Sequence, residues 1–105
     1  MNAASTFALS DPGLLRERCL VGGEWRDADD RGRCDVRNPA TGELLGTVPD
    51  MGALETRQAI EAAHAAFPAW AARTAKERAQ LLRGLYQLMM ENQEDLARLM
   101  TAEQG

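Results

Sequence analysis

Two regimes of hydrophobic patterning divide this chain. Up to Pro49 the apolar residues come in short runs of two or three, broken by Gly, Pro, Asn and Asp. After Gly52 they recur at helical spacing. The first regime predicts short strands and turns, the second predicts helices. Asp11-Pro12-Gly13-Leu14-Leu15-Arg16 reads as a short helix, with Asp11 as N-cap and Pro12 at the first helical position. Cys19-Leu20-Val21 and Glu24-Trp25-Arg26 read as two strands joined by Gly22-Gly23, a pair suited to a turn that needs positive φ at both central residues. Asp27 to Arg33 is a polar loop. Asp35-Val36-Arg37 and Leu44-Leu45-Gly46-Thr47-Val48 form a second hairpin, in which Asn38-Pro39 opens the turn and Gly42 closes it. Pro49 ends the strand, because it has no N–H to give to a ladder.

Leu54, Ile60, Ala63, Phe67 and Trp70 define one apolar stripe on a first long helix. Phe67-Pro68 predicts its end, since proline disfavours helical geometry in the residue before it. Thr74-Ala75-Lys76-Glu77 is a capping box for a second helix, whose face is Leu81, Leu82, Leu85, Leu88 and Met89. The polar run Glu91 to Asp95 interrupts that face, and Leu96, Leu99 and Met100 resume it. A third helix capped by Asn92 follows from this break. The stripe Leu85, Leu88, Met89, Leu96 and Met100 is expected to be core. The fold class expected is α+β: a short helix, two β-hairpins and three helices.

With 105 residues there is room for one domain at most. Only 5% of the residues are aromatic, so the core must be built from Ala, Leu, Val and Met. The net charge is −4, and the arginines of the first third (Arg16, Arg18, Arg26, Arg31, Arg33, Arg37) are interleaved with acids. Their field cancels, which argues against a nucleic-acid partner. No apolar run is long enough to cross a bilayer. The first ten residues lack a basic, then apolar, signal-peptide pattern. Residues 1–10, with Ala3, Ala4, Ser5 and Thr6, are expected to be a flexible lead-in. Cys19 and Cys34 show no Cys-x-x-Cys spacing and are expected to be free, buried thiols in a reducing cytoplasm.

Candidate chemistry is sparse. Asp27, Asp29 and Gly32 match positions 1, 3 and 6 of a calcium loop, but Arg31 stands at position 5 and Asn38 where a bidentate Glu is required. A tight surface loop is the better reading. His64, the one histidine, has only Glu61 at a useful spacing and reads as a solvent-facing helix residue. Neither cysteine has a histidine or helix N-terminus beside it to lower its pKa. No Gly-rich phosphate-binding loop occurs. No catalytic, cofactor-binding or metal-ligating residue is therefore assigned.

Five pieces in order, Val21-Gly22-Gly23-Glu24-Trp25, Asn38-Pro39-Ala40-Thr41-Gly42-Glu43, Ala62-Ala63-His64-Ala65-Ala66-Phe67 with Trp70, Glu77-Arg78-Ala79, and Glu103-Gln104-Gly105, resemble the N-terminal segment of the aldehyde dehydrogenase superfamily. Val48-Pro49-Asp50-Met51-Gly52, Thr74-Ala75-Lys76-Glu77-Arg78-Ala79, Leu88-Met89-Met90-Glu91 and Asp95 to Thr101 resemble its bacterial succinate-semialdehyde dehydrogenase branch. The glutarate-semialdehyde branch looks the same over these residues.

The resemblance implies that residues 11–105 are the first, incomplete portion of an α/β cofactor-binding domain. It implies NAD(P)-dependent oxidation of a small semialdehyde, succinate semialdehyde in 4-aminobutyrate degradation, by a cytoplasmic homo-oligomer without nucleic-acid or membrane partners. A cysteine thiolate would form a thiohemiacetal, hydride would pass to NAD or NADP, and a glutamate would activate water. The family's groups for those steps lie beyond Gly105, and the Gly-Gln-x-Cys context of its nucleophile surrounds neither Cys19 nor Cys34. The segment alone is thus expected to hold no cofactor and to be inactive. Some members bind a monovalent cation near the positions matching Val36-Arg37 and Glu103. A stand-alone α+β binding module, or a dimerising helix pair using Leu81 to Met100, are the alternatives of other classes.

Overall fold

The computed structural model describes residues 8–105; Ala3 to Thr6 of the expected lead-in lie outside them. Asp11 caps a single 3-10 turn, Pro12–Leu14, by accepting from the Gly13 amide at 3.0 Å. The turn is shorter than the expected helix and ends at Leu15, which is extended. Strand β1 (Cys19–Val21) pairs antiparallel with β2 (Glu24–Arg26). The joining glycines have φ of 59° and 82°, the geometry a side chain would resist. β3 (Arg33–Arg37) pairs antiparallel with β4 (Leu44–Pro49) in a second, separate sheet, with an irregularity at Val36/Arg37. This ladder is longer than expected, because Arg33 and Cys34 pair with Pro49 and Val48. Asn38 organises the turn, its Oδ1 accepting from the Ala40 amide at 2.9 Å.

Three helices follow: α1 (Ala53–Ala72), α2 (Ala75–Glu91) and α3 (Gln93–Gln104). Two expectations about their ends need correction. α1 does not stop at Phe67 but carries Pro68 in its interior to Ala72. Proline deletes one intrahelical hydrogen bond and crowds the preceding turn. Here alanines 65, 66, 69, 71 and 72 surround it, and their helix propensity supports the helix across the gap. Nor does Asn92 cap α3. Its Nδ2 donates to the Leu88 carbonyl at 2.8 Å, so it closes the end of α2 and leaves the start of α3 without a side-chain cap. The Thr74–Glu77 box is formed as expected. The Glu77 amide donates to Thr74 Oγ1 at 3.1 Å, and the Thr74 amide to Glu77 Oε1 at 3.0 Å. Those contacts, the Thr74 amide first, hold the Glu77 carboxyl below its ordinary pKa.

The core is small. Among the described residues Leu45 is the one large side chain fully buried, joined by Ala28 and Ala102. The apolar helix stripes are not core. Leu85, Leu88, Met89 and Met100 are each more than half exposed, and Leu54, Ile60 and Phe67 likewise; Leu96 is half-buried. Two two-stranded sheets cannot cover three amphipathic helices, so these faces remain open. The radius of gyration is 16.7 Å, against about 13 Å for a compact domain of this length.

Polar side chains make the long-range ties. Asp95 is buried on α3 at 4% exposure and accepts from the amides of Ser10 and Asp11, both at 2.8 Å. One turn on, Arg98 donates to the Ala8 carbonyl at 2.8 Å. Residues 8–11 are thereby strapped to a helix more than eighty positions away in sequence. Glu55, at the start of α1, accepts from the Asp29 amide at 3.0 Å and from its own N-cap Gly52 at 3.1 Å.

Two expected outcomes follow from these ties. Thr74→Ala removes the α2 cap at a cost of about 1 kcal/mol. It should accelerate hydrogen exchange of the Glu77 amide while α3 is unaffected; unchanged exchange would mean that the cap contributes nothing. The second concerns Asp95, whose carboxyl is held below its ordinary 3.8 by the Ser10 and then the Asp11 amide. A depressed carboxyl stabilises the fold fully above its unfolded value and loses that contribution as pH falls through the lower, folded value. Amide proton shifts of Ser10 and Asp11 should therefore titrate below pH 3.8, and Asp95→Asn should abolish the titration. A midpoint at or above that value would contradict the strap.

Candidate functional site

The candidate residues from the sequence lie on three different elements. His64 projects from the middle of α1 and is exposed. Cys19 on β1 is half-buried and Cys34 on β3 is exposed, which corrects the expectation that both are buried. Cys34 lies on a ribbon with no second sheet against it, so its strand position does not enclose it. Among the described residues no group of three or more His, Cys, Asp or Glu side chains could hold a metal ion.

The Asp27–Gly32 loop is the tight surface turn its ligand count implied. Gly32 N donates to Asp30 Oδ1 at 2.8 Å, and Arg31 takes a positive φ of 63°. Asp27 is engaged by Arg33 Nη1 at 2.9 Å. Arg33 is the residue that sequence reasoning missed. It also donates to Thr47 Oγ1 at 2.8 Å, to the Thr47 carbonyl at 2.9 Å and to the Glu17 carbonyl. It thus ties three segments at the start of β3. No spacing signal could have marked it, since each partner is set by tertiary placement.

What the structure does bring together is the pieces of the family signature. Gly105 has φ of 76°, and a Cβ there would meet Pro39 Cγ at 2.8 Å and the Ala40 amide nitrogen at 3.0 Å. The Glu103-Gln104-Gly105 end of α3 therefore rests on the Asn38–Glu43 turn, a contact only glycine allows. Gly22 faces Ala62 of α1, where a Cβ would make only an ordinary contact at 3.8 Å; its φ of 59° is what favours glycine there. Beside the first joint opens a cleft of about 560 Å³, lined by Asn38, Glu43, Leu45, Glu94, Arg98 and Thr101 among others.

This cleft does not fit a dinucleotide. Glu43 and Glu94 would repel a diphosphate, and Arg98 is already engaged by Ala8 and, at 3.7 Å, by Glu94. A second cleft of about 740 Å³ between the first hairpin and α1 is lined by Leu20, Val21, two glycines and alanines, with no side-chain donor for phosphate. As for a monovalent cation, Arg37 pairs with Asp35 at 3.1 Å and donates to the Gly42 carbonyl, and Glu103 is exposed. These contacts supply no ligand set.

The comparisons place these joints in a known setting. A model of the aldehyde dehydrogenase family matches residues 25–105. A glutarate-semialdehyde dehydrogenase of Pseudomonas putida and an NADP(+) succinate-semialdehyde dehydrogenase of Escherichia coli are each 60% identical over 97 residues, 92% of this chain and 20% of theirs. Among solved structures, an E. coli NADP-dependent enzyme superposes with a TM-score of 0.88 at 60% identity, covering 92% of this chain and 20% of that one. A Burkholderia pseudomallei succinate-semialdehyde dehydrogenase gives 0.89 at 52%, covering 94% and 20%. The chain spans about a fifth of the length of the curated relatives it matches. With its hairpins, its three helices and the glycine joints between them, this chain belongs to the aldehyde dehydrogenase family.

Proposed function

We propose that this chain serves as the N-terminal segment of an NAD(P)-dependent semialdehyde dehydrogenase that oxidises succinate semialdehyde to succinate. The observation that carries the reading is the 60% identity to the E. coli succinate-semialdehyde enzyme across 92% of the chain. A second substrate is favoured equally by the numbers, since glutarate-semialdehyde dehydrogenases reach 60% and 61% over the same length. The two substrates share an aldehyde at one end of a short chain and a carboxylate at the other. The whole enzyme would take NAD or NADP, act in the cytoplasm and assemble from identical subunits.

The role of these residues in that enzyme is architectural. The clefts of about 560 and 740 Å³ offer no free cation to a diphosphate, and neither cysteine lies in the sequence context of the family's nucleophile. What the segment contributes is a scaffold, with the glycine joints fixing the hairpins and the capping box setting the start of α2. Alone it is inactive.

The test is hydride transfer to NAD and NADP with succinate and glutarate semialdehydes. Two proteins are compared: the 105-residue chain, and the E. coli enzyme with its matched 97 residues replaced by those of this chain. The chain alone should give no turnover, and the chimera should oxidise a semialdehyde. Turnover by the chain alone that vanishes on Cys19→Ser or Cys34→Ser would overturn the scaffold reading. A folded chimera inactive on both semialdehydes would overturn the enzymatic one.

A further inference from the structure

Two arginines ahead of β1 are held differently from those that tie the fold. The Arg16 guanidinium sits over the Trp25 ring, 4.6 Å from its centroid, and no hydrogen bond or ion pair among the described residues engages it. Arg18, two positions on, reaches only Asp27, at 3.8 Å, and that carboxylate is already taken by Arg33 at 2.9 Å. Arg26, Arg33, Arg37 and Arg98, by contrast, donate to Gln58, Thr47, Gly42 and Ala8.

Arg16 and Arg18 line a third cleft, of about 320 Å³, with Leu15 and Trp25 as its apolar surface. Glu17 stands between them in sequence, and its carboxylate is turned to the second ribbon: Oε1 lies 2.6 Å from where a Cβ on Gly46 would be. Stacking over an indole holds a guanidinium in one plane and leaves the N–H groups at its edge for an acceptor. A carboxylate or phosphate is the acceptor that such a fork fits best. Two forks with a leucine and an indole beside them call for a ligand with an anion at each end and methylenes between. The cleft is at the small end of ligand pockets, which limits that ligand to a few carbons.

We propose that Arg16, Arg18, Leu15 and Trp25 form a binding site for a short-chain dicarboxylate. Each guanidinium takes one carboxylate, and the methylenes lie against Leu15 and the indole. Succinate and glutarate, the products of the oxidations considered above, belong to that class. In naming that source the inference rests on the semialdehyde dehydrogenase reading. The site itself rests on the residues just named, and its test needs neither cofactor nor turnover. A chimera inactive on both semialdehydes would therefore refute the first and leave the second standing.

The test uses Trp25 as the reporter in the dilute 105-residue chain carrying Trp70→Phe. Succinate, propionate and inorganic phosphate are titrated at constant ionic strength. Succinate should change the Trp25 emission saturably, and propionate, with one carboxylate, should bind about tenfold more weakly. Arg16→Gln and Arg18→Gln should each weaken succinate binding about tenfold. Arg83→Gln, at an exposed position of α2, should leave it unchanged. Saturation transfer to the succinate methylene protons, a readout that needs no tryptophan, should fall in the same two variants. No saturable response in either readout would overturn the site. Propionate or phosphate binding as tightly as succinate would overturn its assignment to a dicarboxylate. Equal weakening by Arg83→Gln would reduce the effect to general charge attraction, and loss of helix content in Arg16→Gln or Arg18→Gln would assign those arginines to the fold; either result would overturn the site.

Discussion

Two short two-stranded ribbons offer too little area to cover three amphipathic helices, and this constraint shapes the described residues. The first hairpin lies against α1 at the Gly22–Ala62 contact. On the second, Leu45 shares a cleft with Ala97 and Ala102 of α3. With both ribbons so engaged, the outward stripes of α1 and α2 stay exposed among the described residues. Burying one leucine fully contributes about 2 kcal/mol, and among the described residues Leu45 is the only large side chain so buried. The described residues are held in place more by polar ties than by a core: Asp95 on the backbone of residues 10 and 11, Glu55 on the 29 amide, Arg33 across three segments.

The family signature has a physical meaning in this setting. Its pieces here mark places where backbone meets backbone or a helix begins. Gly105 lets α3 touch the Asn38 turn, Gly22 supplies the positive φ that closes the first hairpin, and Glu77 completes a cap. These are requirements of shape.

Local chemistry was therefore the legible part of the sequence. The Gly22-Gly23 turn, the Asn38–Gly42 turn, the Asp11 cap and the Thr74 box each follow from residues within a few positions of one another. Pro68 was misread because its effect on the preceding residue is a bias that a run of alanines outweighs. Asn92 was misread because one amide side chain can serve either the helix that ends or the helix that starts. The apolar stripes were correctly placed on helices but wrongly taken as core: periodicity says which residues seek cover, not whether cover is at hand. The Asp95 and Arg33 ties, spanning up to 85 positions, leave no local pattern to read.

The central claim is that the apolar stripes of α1 and α2 lie open to solvent in this chain. Sedimentation velocity of the 105-residue chain with a hydrophobic dye, followed at the dye's own fluorescence, tests it most directly. The account predicts that dye travels with the protein and that the sedimenting species grow as concentration rises into the micromolar range. A compact monomer at every concentration, carrying no dye, would contradict it.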